Sequence, residues 1–175
     1  MIVELDNENI KDLNKSNDSF TIFGKLILEY RSNCWEFSEQ LFEQPYEYIY
    51  PIRDEDYLGF IKAKDKIVYL YYEKSNCIGQ IILTKNWNEN TFVQDICVKK
   101  DYRKKGIGHK LMDQAIGWTK EKNLRGIMLE TQDVNLAACR FYKKYGFILG
   151  GVDTMLYANF ENSDQKALFW YYPVK

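Results

Sequence analysis

Between residues 66 and 174 the spacing of apolar positions changes period repeatedly, and each change marks an element. KIVYLYYE (66–73) and CIGQIILT (77–84) are short runs rich in β-branched and aromatic residues. Joined by Lys74-Ser75-Asn76, they predict two strands. FVQDICV (92–98), after a turn at 86–90, predicts a third. Ile107, Leu111, Ala115 and Trp118 then recur at spacings of four, four and three, which is one face of a helix. Gly126 precedes the apolar run Ile127-Met128-Leu129-Glu130-Thr131, consistent with a central strand. Leu136, Cys139, Arg140 and Tyr142 return to helical spacing, in a segment that Asn135 opens and Gly146 closes. Residues 147–160 and 167–174 predict two final strands.

The first third of the chain is less regular. Residues 1–18 read as a polar lead-in in which Ile10 and Leu13 place a short helix. FTIFGKLILEY (20–30) predicts a strand, and the alternation of Trp35, Phe37 and Leu41 hints at a partner across a turn at Asn33. Pro45 and Pro51 bracket an aromatic segment (Tyr46, Tyr48, Tyr50) expected to be irregular. Asp54 is placed as the cap of a short helix running to about residue 64. No linker or repeat divides the chain. Residues 1–175 are expected to form a single domain, an α/β (α+β) fold whose central mixed sheet is flanked by helices.

Composition narrows the function. A net charge of -1 and a pI near 5.9 argue against a general nucleic-acid binder. No window reaches the apolar length of a membrane span, and the N-terminal residues are not those of a signal peptide. Cys34, Cys77, Cys97 and Cys139 include no C-x-x-C pair, so they predict buried free thiols in a reducing cytoplasm and no zinc site. The single histidine, His109, excludes a multi-His metal site, and no metal is expected.

The chemistry concentrates between the third strand and the helix after it. Arg103-Lys104-Lys105-Gly106-Ile107-Gly108 is a basic turn punctuated by glycine, opening a helix. A helix N-terminus presents unpaired N–H groups and a partial positive charge, so strand, turn and helix together describe a pyrophosphate cradle. The three glycines of the dinucleotide fingerprint and the G-x-x-x-x-G-K-[ST] of the P-loop are both missing.

Arg-x-x-Gly-x-Gly after a strand resembles the acetyl-CoA signature of the GCN5-related N-acetyltransferases (GNAT). Asn135 followed by Phe141-Tyr142-Lys143-Lys144-Tyr145-Gly146-Phe147 resembles the second half of that signature. From about residue 20 to residue 172, and especially in ETQDVNLAACRFYKKYGF, VDTMLYANF and ALFWYY, the chain resembles the streptothricin acetyltransferases. These inactivate an antibiotic by acetylating its β-lysine side chain. The resemblance implies a GNAT-type sheet that is mostly antiparallel. It places the acetyl-CoA cradle and core at about 66–160 and an acceptor-side segment at about 19–64.

It also implies roles. Backbone N–H groups of Ile96, Cys97 and Val98 would meet the acetyl and pantetheine arm. Arg103, Lys104, Lys105, Gly106, Ile107, Gly108 and His109 would surround the pyrophosphate, and Asn135 would bond the arm. Tyr142 would protonate the departing thiolate. Many relatives carry a glutamate as base where this chain has Gln94, which accepts no full proton. Asp95 and Glu130 are the remaining carboxylates on central strands. A structural role for each of these two is an equal alternative, whereas Asn135 can cap its helix as well as bond the arm.

Seven carboxylates (Glu36, Glu39, Glu43, Glu47, Asp54, Glu55, Asp56) against one Arg53, interleaved with tyrosines, suit a cationic amine. From this segment and from VDTMLYANF come Tyr46, Glu55 and Asp153 as acceptor-side candidates. A polyamine or protein N-terminus as acceptor, and a non-catalytic CoA-binding module, stay open. So does a homodimer.

Overall fold

The computed structural model describes residues 1–52 and 55–174. Among the described residues nine strands and two α-helices follow one another as β1 (Ile2–Glu4), β2 (Phe20–Arg31), β3 (Cys34–Tyr48), β4 (Lys66–Glu73), β5 (Asn76–Lys85), β6 (Asn90–Val98), α1 (Ile107–Glu121), β7 (Gly126–Gln132), α2 (Leu136–Tyr145), β8 (Ile148–Asp153) and β9 (Ala167–Pro173). Seven strands form one mixed sheet in the order β1-β4-β5-β6-β7-β9-β8, while β2 and β3 form a two-stranded sheet. The chain divides into two compact units, Met1–Phe20 with Ile49–Ile127 and the end from Pro173, and Thr21–Tyr48 with Met128–Tyr172.

In the first unit β1, β4, β5 and β6 pair antiparallel. Residues 77–83 of β5 are all buried, as expected of a strand covered on both faces. One face packs Val68, Leu70, Cys77 and Ile82 with Leu5 and Phe60. The other receives α1, whose Ile107, Leu111, Ala115 and Trp118 are buried at the spacing read from the sequence, with Met112 buried beside them. Gly79 permits that close approach. A Cβ there would stand 3.2 Å from Leu111 Cδ1 and 3.3 Å from both Cys97 O and Ile107 Cγ2. Gly79→Val is therefore expected to destabilise the protein by about 1–3 kcal/mol through overpacking, read as a lower urea midpoint.

In the second unit α2 begins at Asn135, whose side chain accepts the Ala138 N–H at 3.1 Å. It ends at Gly146, in the left-handed region at φ 112°, with the Gly146 N–H bonded to Tyr142 O and Lys143 O. β8 and β9 pair antiparallel.

Several local expectations are corrected. β3 runs through Pro45 to Tyr48 instead of breaking there. In a two-stranded sheet each strand has an outer edge, where proline's missing N–H costs no ladder bond. The helix expected from Asp54 is a single 3-10 turn at Tyr57–Phe60, capped by Asp56, which accepts the Leu58 N–H at 3.1 Å. Asp54 lies outside the described residues. The long strand expected over 147–160 stops at Asp153, because that carboxylate takes the N–H groups of Met155 (2.7 Å) and Leu156 (3.0 Å) into a turn. The lead-in holds β1, whose three residues are too few to show a period. All four cysteines are free and Cys77 and Cys139 are buried, but Cys34 is exposed next to the β2–β3 turn and Cys97 is only partly buried.

Candidate active site

β6 carries a bulge where the chemistry was expected. Ile82 pairs with Asp95 and Leu83 with Val93, so Gln94 is an extra residue with no partner on β5. Its side-chain oxygen is buried and has no hydrogen-bond partner among the described residues. At the far end of the strand the Lys99 N–H bonds Ile78 O at 2.9 Å. Successive N–H groups of an extended strand alternate in direction, so Cys97 also faces β5 while Ile96 and Val98 face the opposite edge. Of the three residues expected to present N–H groups to a ligand, Cys97 therefore directs its own to β5.

The turn after β6 is built from within. Arg103 donates through Nε to Val98 O (2.8 Å) and through its two terminal nitrogens to Ser19 O (2.7 Å) and Asp18 O (2.9 Å). Asp18 Oδ2 in turn accepts the Lys100 N–H at 2.7 Å. The guanidinium thus ties the turn to residues 18 and 19, and the exposed Lys104 and Lys105 bring side-chain charge to its surface. Lys104 (φ 60°) and Gly106 (φ 81°) adopt left-handed backbone that reverses the chain into α1. Among the described residues no side chain caps α1, and its first closing bond is Lys110 N–H to Gly106 O at 3.1 Å. The N–H groups of Ile107 and Gly108 therefore point beyond the helix end. A Cβ on Gly106 would meet nothing within 4 Å, so the approach is open. His109 is exposed on the first turn. An uncapped helix start reached by an open, basic turn is suited to a pyrophosphate.

Beneath the strand lies a polar cluster in an otherwise apolar layer. Gln80 Nε2 donates to Asp95 Oδ2 at 2.7 Å and to Asn14 Oδ1 at 3.0 Å, while Gln80 Oε1 accepts the Asn14 N–H at 2.7 Å. Ser16 Oγ and Cys97 Sγ are 3.2 Å apart. Burial first, then the Asp95 charge, pushes the Cys97 thiol well above its usual pKa. Cys97 is therefore a thiol at neutral pH and no nucleophile.

In the second unit Tyr142 is 6% exposed and packs against Phe141, Phe147 and Trp170, with centroids 5.4, 5.6 and 6.3 Å away. Glu130 on β7 accepts the Tyr157 hydroxyl. The β2–β3 hairpin is joined to α2 by Arg140, whose Nε meets Glu39 Oε1 at 2.9 Å, and by Lys143, 4.4 Å above the Phe37 ring. The Arg140 guanidinium holds the Glu39 carboxyl below its usual range. Burial, then the Asp164 charge, raises the Tyr46 phenol. Tyr46 and Asp153 lie in this unit with Tyr142, Asn135 and Glu130, while Glu55 lies in the first with the turn and Asp95. Gln80, Asn14, Ser16 and Tyr157 were not singled out from the sequence. Gln80 alone had left a signal, as the one strongly polar residue inside CIGQIIL.

Among the described residues no helix is long and apolar enough to cross a membrane, and no group of His, Cys, Asp or Glu could hold a metal ion. The chain is 45% identical over 172 residues to streptothricin acetyltransferase A of Bacillus subtilis, covering 98% of this chain and 99% of that one. It is 34% identical over 137 residues to a streptothricin acetyltransferase of Escherichia coli, covering 77% and 78%. A crystal structure from Bacillus anthracis, described as a streptothricin acetyltransferase in complex with acetyl coenzyme A, superposes with a TM-score of 0.92. That match is 36% identical and covers 99% of this chain and 98% of that one. The profile of the acetyltransferase (GNAT) family matches residues 30–147, across both signature motifs, and the chain belongs to that family.

Proposed function

We propose that this chain is an acetyl-CoA-dependent N-acetyltransferase of the cytoplasm that inactivates streptothricin by acetylating its β-lysine amine. The observation that carries the reading is identity of 45% across nearly the whole length of a streptothricin acetyltransferase, acceptor-side segments included. In this reading the first turn of α1, with Gly106, Ile107 and Gly108, holds the pyrophosphate, and Lys104 and Lys105 add charge around it. The N–H groups of Ile96 and Val98 meet the acetyl and pantetheine arm, and one of them stabilises the charge that develops on the thioester oxygen. Asn135, besides capping α2, bonds the arm.

The substrate amine arrives as an ammonium, of which roughly one part in two thousand is neutral at pH 7. Asp95 takes the surplus proton, directly or through one water, and Glu130 is the second carboxylate available for that step. The freed lone pair attacks the thioester carbon, the N–C bond forms and the C–S bond breaks. Tyr142 supplies its phenolic proton to the departing sulfur, and the second proton, lost by the nitrogen as it becomes an amide, restores the phenol. Tyr46, Glu55 and Asp153 serve the cationic acceptor through charge and ring faces. The amine attacks in a ternary complex, without an acetyl-enzyme.

Mass spectrometry of streptothricin incubated with the protein and acetyl-CoA tests the reading. A gain of one acetyl group on the β-lysine portion is the expected result. Tight CoA binding with unmodified antibiotic would keep the cradle and discard this acceptor in favour of polyamines or peptide N-termini.

A further inference from the structure

Gln80 is only 1% exposed, and its amide is fully committed. A glutamine amide offers one oxygen and two N–H donors. A backbone N–H can only donate, so the Asn14 N–H at 2.7 Å requires the Gln80 oxygen opposite it. The nitrogen must then face Asn14 Oδ1 and Asp95 Oδ2. The orientation is dictated by the backbone, and one N–H is delivered to the carboxylate. Asn14 has φ 65°, a conformation that asparagine tolerates better than most residues.

From this geometry we infer that Gln80, itself held by Asn14, is a positioning residue that orients Asp95 to accept the substrate's proton. The inference rests on the role proposed for Asp95. The choice of an amide has a physical consequence. A lysine or arginine at this place would hold the carboxylate equally well but would strongly favour its ionised form and weaken it as a base. A neutral N–H fixes the side chain with a smaller effect on basicity. Asp95 also faces the Cys97 thiol on its own strand. The bulge at Gln94 adds to the need for an anchor, because an extra residue re-aims the side chains beside it.

The test is a double-mutant cycle on the full chain with Gln80→Met, which keeps the volume and removes every amide hydrogen bond. Asp95→Asn alone is expected to lower kcat about 100-fold. Gln80→Met alone is expected to lower kcat about tenfold, with KM for acetyl-CoA within about twofold of wild type. In the Asp95→Asn background Gln80→Met should cost less than about twofold more, because the group it positions is gone. Equal losses from Gln80→Met in both backgrounds would show that the amide acts independently of Asp95 and would overturn the positioning role. Wild-type kcat for Asp95→Asn would remove the base reading itself, and the positioning role with it. Thermal midpoints and CoA binding normalise each variant to folded protein. Should Gln80→Met fail to fold, Asn14→Gly decides in its place. It keeps the positive φ and the backbone donor, removes the side-chain carboxamide with the Oδ1 that Gln80 meets, and should lower kcat about threefold with the same dependence on Asp95.

Discussion

Tyr142→Phe is expected to lower kcat about 100-fold with little change in KM for acetyl-CoA. The phenol is buried among Phe141, Phe147 and Trp170, and a phenylalanine ring refills that space without a cavity. Only the hydroxyl is lost. Placed general acids contribute about 10²–10⁴ in rate, and a protonated phenol is a competent donor to a thiolate at pH 7. The loss should therefore depend on the leaving group. An acetyl thioester of a more acidic thiol needs less help in departing, and turnover of that substrate by the variant should recover towards wild type. An unchanged kcat on streptothricin, with the variant folded, would exclude the acid role.

The elements around this tyrosine were legible because they are dictated locally. The helical spacing from Ile107 to Trp118 and from Leu136 to Tyr142 reappears as the buried faces of α1 and α2. Asn135 and Gly146 cap α2 as their side-chain chemistry and freedom at positive φ predict. The strand β4 begins and ends where its β-branched and aromatic run does. What escaped was long-range. Arg103 was read as charge for a phosphate, but its partners Ser19 and Asp18 lie 84 and 85 residues away, and no periodicity reports such a pairing. Gln80 meets Asn14 across 66 residues. The bulge at Gln94 depends on the register of β6 against β5, which the apolar pattern of β6 alone does not determine. The acceptor side was legible only as a charge excess. Within it Glu39 proves to be the ion-pair partner of Arg140, which leaves that carboxylate holding the hairpin to α2.

Gly106→Val is expected to raise KM for acetyl-CoA at least tenfold while the protein stays folded. At φ 81° the backbone of Gly106 lies where a β-branched residue is a genuine outlier, and the left-handed conformation costs about 1–2 kcal/mol even for smaller side chains. Space is not the obstacle, since a Cβ would find no atom within 4 Å. The variant relieves its strain by turning the peptide that sets the first N–H groups of α1, so the penalty falls on anion binding more than on stability. Gly106→Asn separates conformation from bulk. Asparagine is several times more at ease at positive φ than most residues, though larger than alanine, and it should retain near wild-type KM. If Gly106→Ala and Gly106→Asn prove equally impaired, bulk at the approach is decisive and the conformational account of the cradle is wrong. A graded series, Asn best and Val worst, would tie acetyl-CoA affinity to one backbone angle at the start of α1.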